Sequence, residues 1–119
     1  MADTKTYTGG CHCGEVRFEV TADLGDVITC NCSICQKRGA LWVFVGADRF
    51  AVRAGQEGLR DYQFGKKTIH HLFCPQCGVA AFSRGTAPGS KEMVAVNVRC
   101  LDDVDVTSLK LTPFDGRSL

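Results

Sequence analysis

The sequence predicts a mainly β protein, and three observations lead to that prediction. Apolar and polar residues alternate with a period of two, most clearly over residues 16–21, as expected for half-buried strands. Glycine-rich turns separate such stretches at short, regular spacing. Most of the cysteines stand in tight groups at these turns. We therefore expect short strands and short helical turns organised around metal-binding turns, in a single domain spanning residues 1–119.

Length and composition restrict the class of protein. The chain has 119 residues, of which 45% are hydrophobic, enough for one domain with a modest core. The longest apolar runs, residues 41–45 and 79–82, are too short to span a membrane. Residues 1–5 carry an acid and no apolar segment, which argues against a signal peptide. We therefore expect a cytoplasmic protein with reduced thiols. The formal net charge of +1 gives no reason to expect a nucleic-acid or membrane partner.

Five β segments are predicted in the first half of the chain, at residues 6–8, 16–21, 27–29, 41–45 and 50–53. Residues 41–45 are all apolar, so we expect a central strand with both faces covered. Ser33 is placed to cap a short helical turn that runs to Arg38 and ends at Gly39. This turn would hold the last cysteine of the group that precedes it.

The second half of the chain continues the same pattern. Further extended segments are predicted at residues 59–64, 68–73, 79–83, 93–98 and 109–119. A short helical or 3₁₀ turn is expected within residues 101–106. The sequence contains no repeat and no linker, so no domain boundary is placed.

Seven of the eight cysteines fall into three groups, which are Cys11 and Cys13, then Cys30, Cys32 and Cys35, and finally Cys74 and Cys77. Cysteines in a reducing compartment are more often metal ligands than disulfides, and a disulfide between near neighbours would be strained. Thiolates are soft ligands that suit zinc, copper(I) or iron–sulfur clusters. The last pair gives the strongest signal, because Pro75 pre-sets its turn and Gly78 permits positive φ.

Counting ligands favours two sites of different kinds. A closed structural zinc site needs four ligands, and each cysteine pair supplies two. If the pairs join, the middle group keeps three thiols and an open position, which is the composition of a catalytic zinc site. The other partition adds one thiol from a pair to the middle group and leaves the remaining thiols incomplete. We favour the first partition, with two Zn²⁺ per chain.

Other reactive residues have simpler interpretations. Cys100 follows an apolar segment and is expected to be a small buried hydrophobe, with contact to a metal as the alternative. His12, His70 and His71 could be ligands or proton carriers, but packing or hydrogen bonding near a metal is the more common role. A redox role for the Cys74–Cys77 pair is disfavoured because no βαβ pattern surrounds it. Four cations are candidates for holding an anionic substrate, or are solvated turn charges: Lys37, Arg38, Lys66 and Lys67.

The order of these motifs resembles the glutathione-dependent formaldehyde-activating enzyme (GFA) family, also named for centromere protein V, over about residues 7–117. The motifs that carry the resemblance lie at residues 10–14, 30–35, 73–78, 96–100 and 114–117. The resemblance implies an Mss4-like fold, a β-tent of folded-over antiparallel sheets. It also implies a structural zinc and a catalytic zinc, the first bound by Cys11, Cys13, Cys74 and Cys77 and the second by Cys30, Cys32 and Cys35.

The resemblance further implies a carbon–sulfur lyase type of activity. Such an enzyme would add a thiol, glutathione or a similar molecule, to a small aldehyde such as formaldehyde, or reverse the addition. The alternative is a non-catalytic, zinc-binding Mss4-like module that engages another protein. In that case a fourth protein ligand, Cys100 or a histidine, would close the middle zinc site. Nucleic-acid binding is a weaker alternative, because the charge of the chain is balanced.

Overall fold

The mainly β prediction is confirmed by a computed structural model that describes residues 4–86 and 91–118. The described residues form ten strands and one α-helix. The strands are β1 (Lys5–Gly10), β2 (Arg17–Ala22), β3 (Val27–Cys30), β4 (Trp42–Gly46), β5 (Phe50–Ala54), β6 (Arg60–Tyr62), β7 (Ile69–Phe73), β8 (Phe82–Thr86), β9 (Glu92–Asn97) and β10 (Leu111–Phe114). The helix α1 spans Ser33–Arg38. Within the described ranges, no helix is long and apolar enough to cross a membrane.

The strands form two sheets. The smaller sheet has the order β1-β2-β5, and the larger has the order β10-β3-β4-β9-β8-β7-β6. Neighbouring strands are antiparallel, as the resemblance implies, except that β10 runs parallel to β3. A parallel neighbour requires a long connection, and here β10 returns from the far end of the chain to lie beside β3. The tail therefore reaches the strand that ends at Cys30.

An aromatic cluster joins the two sheets. Phe18 of β2 and Phe50 of β5 lie on the smaller sheet, and Phe82 of β8 on the larger one. Their ring centroids are 5.3 Å (Phe18–Phe50), 6.1 Å (Phe18–Phe82) and 4.7 Å (Phe50–Phe82) apart. The Arg84 guanidinium lies 5.3 Å from the centroid of Phe50. Each aromatic pair is worth about 0.5–1.5 kcal/mol beyond the area it buries, so this cluster fixes the relative placement of the sheets.

The prediction of a strand covered on both faces is wrong for β4. β4 does lie inside the larger sheet, between β3 and β9. Val43 and Val45 are buried in the core, but Phe44 between them is 51% exposed. Successive side chains of a strand point to opposite faces, so Trp42 and Phe44 share the face away from Val43 and Val45. That face is covered at Trp42, which is 4% exposed, but open at Phe44. A run of apolar residues therefore did not require two covered faces.

Helix α1 begins differently from the prediction and ends as predicted. Cys32, not Ser33, is the N-cap residue, and it makes no side-chain capping bond. The chain is still extended at Cys32 because this residue belongs to the turn that gathers the cysteines. Gly39 ends the helix in the left-handed region at φ 68°, and its N–H donates to the Cys35 carbonyl at 2.9 Å.

Other predicted boundaries are also wrong. The tail predicted as extended over residues 109–119 is a strand only at Leu111–Phe114 and then forms a 3₁₀ turn at Gly116–Ser118. The turn expected within residues 101–106 is replaced by two 3₁₀ turns, at Val98–Cys100 and Val106–Ser108. In each, the preceding Asn97 or Asp105 side chain accepts a backbone N–H two residues later, which nucleates the turn there. The strand expected from residue 79 begins only at Phe82, because Val79 still belongs to the preceding cysteine turn.

Candidate metal centres

Four sulfurs converge where the turn between β1 and β2 meets the turn that follows β7. The Sγ atoms of this four-cysteine group all lie within 4.8 Å of one another, and its members are Cys11, Cys13, Cys74 and Cys77. The Cys11–Cys13 and Cys13–Cys74 sulfur distances are 3.5 and 3.7 Å. A tetrahedral zinc with Zn–S bonds of about 2.3 Å requires sulfurs about 3.8 Å apart. The group therefore has the donor set and spacing to hold such an ion.

The two turns of the four-cysteine group share one local design. The Cys11 N–H donates to the Val16 carbonyl at 3.1 Å, and the Cys74 N–H donates to the Val79 carbonyl at 3.1 Å. Each turn includes a glycine at positive φ, a conformation that a side chain would strain, Gly14 at 83° and Gly78 at 78°. The Cys11–Cys13 pair, whose spacing is a weaker metal-binding signal than Cys–x–x–Cys, thus sits in a turn of the same kind as the Cys74–Cys77 pair.

Backbone N–H groups point at the sulfurs of this group. The Val16 N–H donates to Cys11 Sγ at 3.3 Å, and the Gln76 N–H donates to Cys74 Sγ at 3.4 Å. The backbone N–H groups of Cys13 and then Val79 lower the pKa of the Cys77 thiol to about 6. Such donors favour thiolate, which is the form that binds a metal.

Crowding of the thiols acts in the opposite direction. The Glu15 N–H lowers the pKa of Cys13, but the neighbouring sulfurs, that of Cys11 first, raise it to about 12. Four thiolates at this spacing repel one another, so they cannot all ionise without a cation between them. The electrostatics of the four-cysteine group thus fit a bound divalent cation.

The second assembly of sulfurs, the three-cysteine group, comes from one short segment. Its members are Cys30 at the end of β3, Cys32 at the N-cap of α1, and Cys35 in the first turn of α1, with Sγ atoms within 4.8 Å of one another. All three are partly exposed. Among the described residues, no further Cys, His, Asp or Glu joins this group at that distance. Its donor set therefore fits a soft metal ion with a coordination position to spare.

Hydrogen bonds fix the sulfurs of the three-cysteine group. The Cys32 N–H donates to Cys30 Sγ at 3.5 Å, and the indole Nε1–H of the buried Trp42 donates to Cys35 Sγ at 3.3 Å. Burial, followed by the neighbouring Cys32 thiol, raises the pKa of Cys35 to about 12. A cation would again be needed to hold all three sulfurs as thiolates.

The structure thus gathers the cysteines into the four and the three that ligand counting favours, and it leaves Cys100 out of both. Cys100 lies on the side of the four-cysteine group. Burial and then the charges of Cys11 and Cys77 raise its pKa to about 11. Cys100 therefore does not close the three-cysteine group, although that closure was the sign expected of a non-catalytic module.

The histidines also lie outside both groups. His71 is only 9% exposed and stacks on Phe64, with ring centroids 5.2 Å apart. Burial and then the Arg38 charge lower the pKa of His71. His70 Nδ1 lies 2.6 Å from Asp61 Oδ2 on the exposed surface, and His12 is exposed. These positions agree with packing and hydrogen-bonding roles.

A cavity opens beside helix α1. Its volume is about 290 Å³, and it is lined by Ser33, Ile34, Lys37, Tyr62 and Phe64. This volume is close to the lower end, about 300 Å³, of small-molecule sites. The lining combines an aromatic wall with one ammonium group, a combination suited to a small amphipathic anion.

Arg38, near the end of α1, is close enough for its charge to act on both Cys35 and His71. Burial lowers the pKa of Arg38, while the charge of Cys35 raises it. Its Nη1 atom is buried and has no hydrogen-bond partner among the described residues. Arg38 as a whole is partly exposed, and a guanidinium with an N–H that lacks a protein partner can bind an anionic group.

Sequence reasoning assigned no role at the site to the tail, and the structure brings the tail to the three-cysteine group. Asn31, between two of the cysteines, hydrogen-bonds with Asp115 and with the backbone of Arg117. Gly116 packs directly against Cys30. The motif at residues 114–117 was the available signal, but a motif does not reveal where a distant segment folds back.

The fold and these groups define a class of protein: a small β protein with two cysteine groups that could hold metal ions, one of four sulfurs and one of three. A family model described as "Glutathione-dependent formaldehyde-activating enzyme" (GFA) matches residues 6–114. The chain belongs to this family, as its motifs predicted.

A solved structure supports the same relationship. The chain is similar to a Rhodobacter sphaeroides protein whose crystal structure was determined as a structural-genomics target. The two are 35% identical in sequence, with a TM-score of 0.79. The match covers 89% of this chain and 97% of the other. The similarity therefore extends over nearly the whole fold.

Proposed function

We propose that this chain is a zinc-dependent enzyme of the GFA family. It would add a thiol, glutathione or a similar molecule, to a small aldehyde such as formaldehyde, or catalyse the reverse reaction. The observation that carries the proposal is the three-cysteine group, whose sulfurs are partly exposed and have no fourth side-chain ligand among the described residues. A saturated site would have no position for a reactant. Family membership supports the choice of reactants.

The two groups would hold two Zn²⁺ ions with different tasks. The four-cysteine group would bind a structural zinc, since four thiolates complete its coordination. The three-cysteine group would bind the catalytic zinc. There, zinc would supply a position that could bind a thiol as thiolate or polarise an aldehyde oxygen. Because three thiolates make a soft site, thiol capture and orientation of the carbonyl suit it better than generation of hydroxide.

The surrounding residues would bind and orient the thiol substrate. The reaction forms one carbon–sulfur bond and breaks the S–H bond and the π bond of the aldehyde carbonyl, and the proton of the thiol ends on the aldehyde oxygen. Tyr62 and Phe64 would pack on the apolar part of the thiol in the cavity beside α1. Lys37 at the cavity would pair with a carboxylate of the thiol, and Arg38, whose Nη1 has no partner among the described residues, would supply a second cation. The Trp42 indole would hold the Cys35 sulfur in place through its hydrogen bond.

The chemistry of the cysteine groups supports a cellular location and a class of partners. The cysteines of the chain are free, and metal–thiolate sites need reduced cysteines, which supports a cytoplasmic enzyme. Its partners would be small-molecule thiols and aldehydes, and the balanced charge gives no support for a nucleic-acid partner. The family match runs through both sheets, which supports one domain over residues 1–119.

The test is adduct formation from glutathione and formaldehyde by the zinc-loaded protein. We expect a rate above that of the uncatalysed mixture. Cys32→Ser should stay folded, keep about one zinc per chain and lose the activity, because it removes a ligand from the three-cysteine group only. Cys100→Ser is the matched control and should keep both zinc ions and the rate. A rate equal to the uncatalysed one with several thiols and aldehydes would refute the enzyme.

A further inference from the structure

The side chain between the first two sulfurs of the three-cysteine group is held entirely by the tail of the chain. Asn31 Nδ2 donates to Asp115 Oδ1 at 2.9 Å, and Asn31 Oδ1 accepts from the Arg117 N–H at 2.9 Å. The backbone N–H of Asn31 donates to the Phe114 carbonyl at 3.3 Å. Asn31 is exposed, so these bonds are not needed to satisfy a buried amide. Their effect is to fix the orientation of the segment 30–35, which carries the three cysteines.

The tail also touches a sulfur directly. A Cβ added at Gly116 would lie 2.6 Å from Cys30 Sγ and 3.2 Å from Cys32 Cβ. Real Cβ atoms do not approach a sulfur this closely, so only glycine fits without moving the thiol. The backbone of residue 116 therefore forms one wall of the three-cysteine group.

Strand pairing and a second side-chain contact support the same placement. β10 pairs in parallel with β3, and Phe114 lies opposite Cys30 in the register. Beyond the strand, the Arg117 guanidinium donates to the Gln36 side chain on α1. The segment 114–117, which we call the tail clamp, thus contacts the strand, the loop and the helix that supply the three sulfurs.

We propose that the tail clamp positions the three-cysteine group for metal binding, and that Asn31, Asp115 and Gly116 are positioning residues that slow release of its metal ion. This inference rests on the zinc of the proposed function, but not on its reaction. Residues that orient metal ligands typically change metal affinity by about 10–100-fold when mutated. The three sulfurs come from one short, partly exposed segment, whereas the four-cysteine group is held by two turns that brace each other, so the three-cysteine group depends more on such support.

The Asn31–Asp115 pair permits a swap of donor and acceptor. Asn31→Asp alone sets two carboxylates against each other, so we expect zinc to leave the three-cysteine group about tenfold faster. The double variant Asn31→Asp with Asp115→Asn restores one donor and one acceptor, and the carboxylate introduced at position 31 can still accept from the Arg117 N–H. We expect the double variant to recover most of the slow release rate. A general loss of stability would instead accelerate release from the four-cysteine group as well.

Release is measured as transfer of zinc to a chromophoric chelator. The four-cysteine group of the same chain is the internal reference, and its rate should be unchanged. Loading with Co²⁺ adds a second readout, because the absorption bands of cobalt–thiolate sites report coordination geometry. The bands of the three-cysteine group should shift in Asn31→Asp and return in the double variant. Gly116→Ala should behave like Asn31→Asp, whereas Gly58→Ala, where a Cβ meets open space, should behave like the parent.

Several results would overturn the inference. These are release from Asn31→Asp at the parental rate, no recovery in the double variant, or equal acceleration from both groups. A parent chain that binds only one zinc would overturn this inference together with the second zinc of the proposed function. A chain that binds two zinc ions, shows the swap behaviour and fails to join thiol to aldehyde would refute only the reaction.

Discussion

The two cysteine groups of this protein are built in different ways. The four-cysteine group joins two turns far apart in sequence. Each turn orients one sulfur through its own amide, and the Cys13 N–H of the first turn also reaches Cys77 of the second. Two of its cysteines, Cys11 and Cys74, are buried. The three-cysteine group comes from one segment of six residues and is partly exposed throughout. The Cys32 N–H orients Cys30 locally, and Trp42 and the tail clamp add contacts from outside the segment. Local amides therefore orient sulfurs in both groups, and the three-cysteine group is fixed in addition by the distant tail of the chain.

Because of this difference, a metal ion in one group should contribute mainly to stability and a metal ion in the other mainly to reactivity. A metal ion in the four-cysteine group would connect the smaller sheet to the turn after β7, so its binding energy would contribute to folding. A metal ion in the three-cysteine group would tie together residues that are already neighbours, and would add little to the fold. Disrupting each group in turn tests whether stability and reactivity are divided in this way.

Loss of a ligand from the four-cysteine group should have the largest effect. Cys74→Ser removes a fully buried sulfur and the connection between the two turns. Because structural zinc contributes about 10–16 kcal/mol in small zinc domains, we expect a loss of several kcal/mol in stability and of both zinc ions. Thermal unfolding and zinc content per chain measure this. Cys32→Ser is the comparison, and equal stability of the two variants would contradict the division.

Metal removal should separate the groups in the parent protein. A mild chelator should take about one zinc per chain first, together with the activity, because the sulfurs of the three-cysteine group are partly exposed. Far-UV circular dichroism should stay unchanged until the second ion leaves. Activity that persists after the first ion has gone, or unfolding at that stage, would reverse the assignment of the two sites.

The contrast also explains what the sequence could and could not predict. Alternation identified β2, the Cys–x–x–Cys spacing identified the turn after β7, and Gly39 identified the end of α1, because each signal is local. The donor set of each group followed from counting ligands, since a closed site requires four. These predictions needed no knowledge of how distant segments meet.

The remaining features depend on distant segments. The contact between Asn31 and Asp115 joins residues 84 positions apart, and nothing in the local sequence of either indicates the other. The same holds for the parallel pairing of β10 with β3 and for the open face at Phe44. The contacts between the distant tail and the three-cysteine group were therefore the least predictable part of the molecule.

Arg38 provides a sharper test of the open group. Its buried Nη1 has no partner among the described residues, and it lies on the side of Cys35. Hydrogen bonds to charged groups contribute about 1.5–3 kcal/mol, so Arg38→Met should raise the KM for glutathione about tenfold or more. Zinc content and kcat should stay near the parental values. A neutral thiol should show no change, and Arg53→Met, on the exposed face of β5, is the matched control. An equal loss with both thiols would argue against an anion-binding role.

The smallest effect is expected at Arg17 and Asp102, an ion pair near the four-cysteine group. The Arg17 hydrogen bond, followed by that from Thr8, lowers the pKa of Asp102. The stabilisation is therefore present above the unfolded pKa and is lost as the pH falls through the lowered folded pKa. With side chains 38% and 40% exposed, the pair is worth about 0–1 kcal/mol. Asp102→Asn should thus reduce the unfolding free energy by at most about 1 kcal/mol, by the same amount at any pH between about 6 and 8.

The rate of zinc release allows the Arg17–Asp102 pair to be compared directly with the Asn31–Asp115 pair. Both pairs join a segment beside a cysteine group to a distant part of the chain. If the turns orient the four-cysteine group by themselves, Asp102→Asn should change zinc release from it by less than about twofold, well below the 10–100-fold typical of residues that orient ligands. Acceleration as large as that expected for Asn31→Asp at the other group would mean that both groups depend on distant contacts. The proposed difference between them would then be wrong.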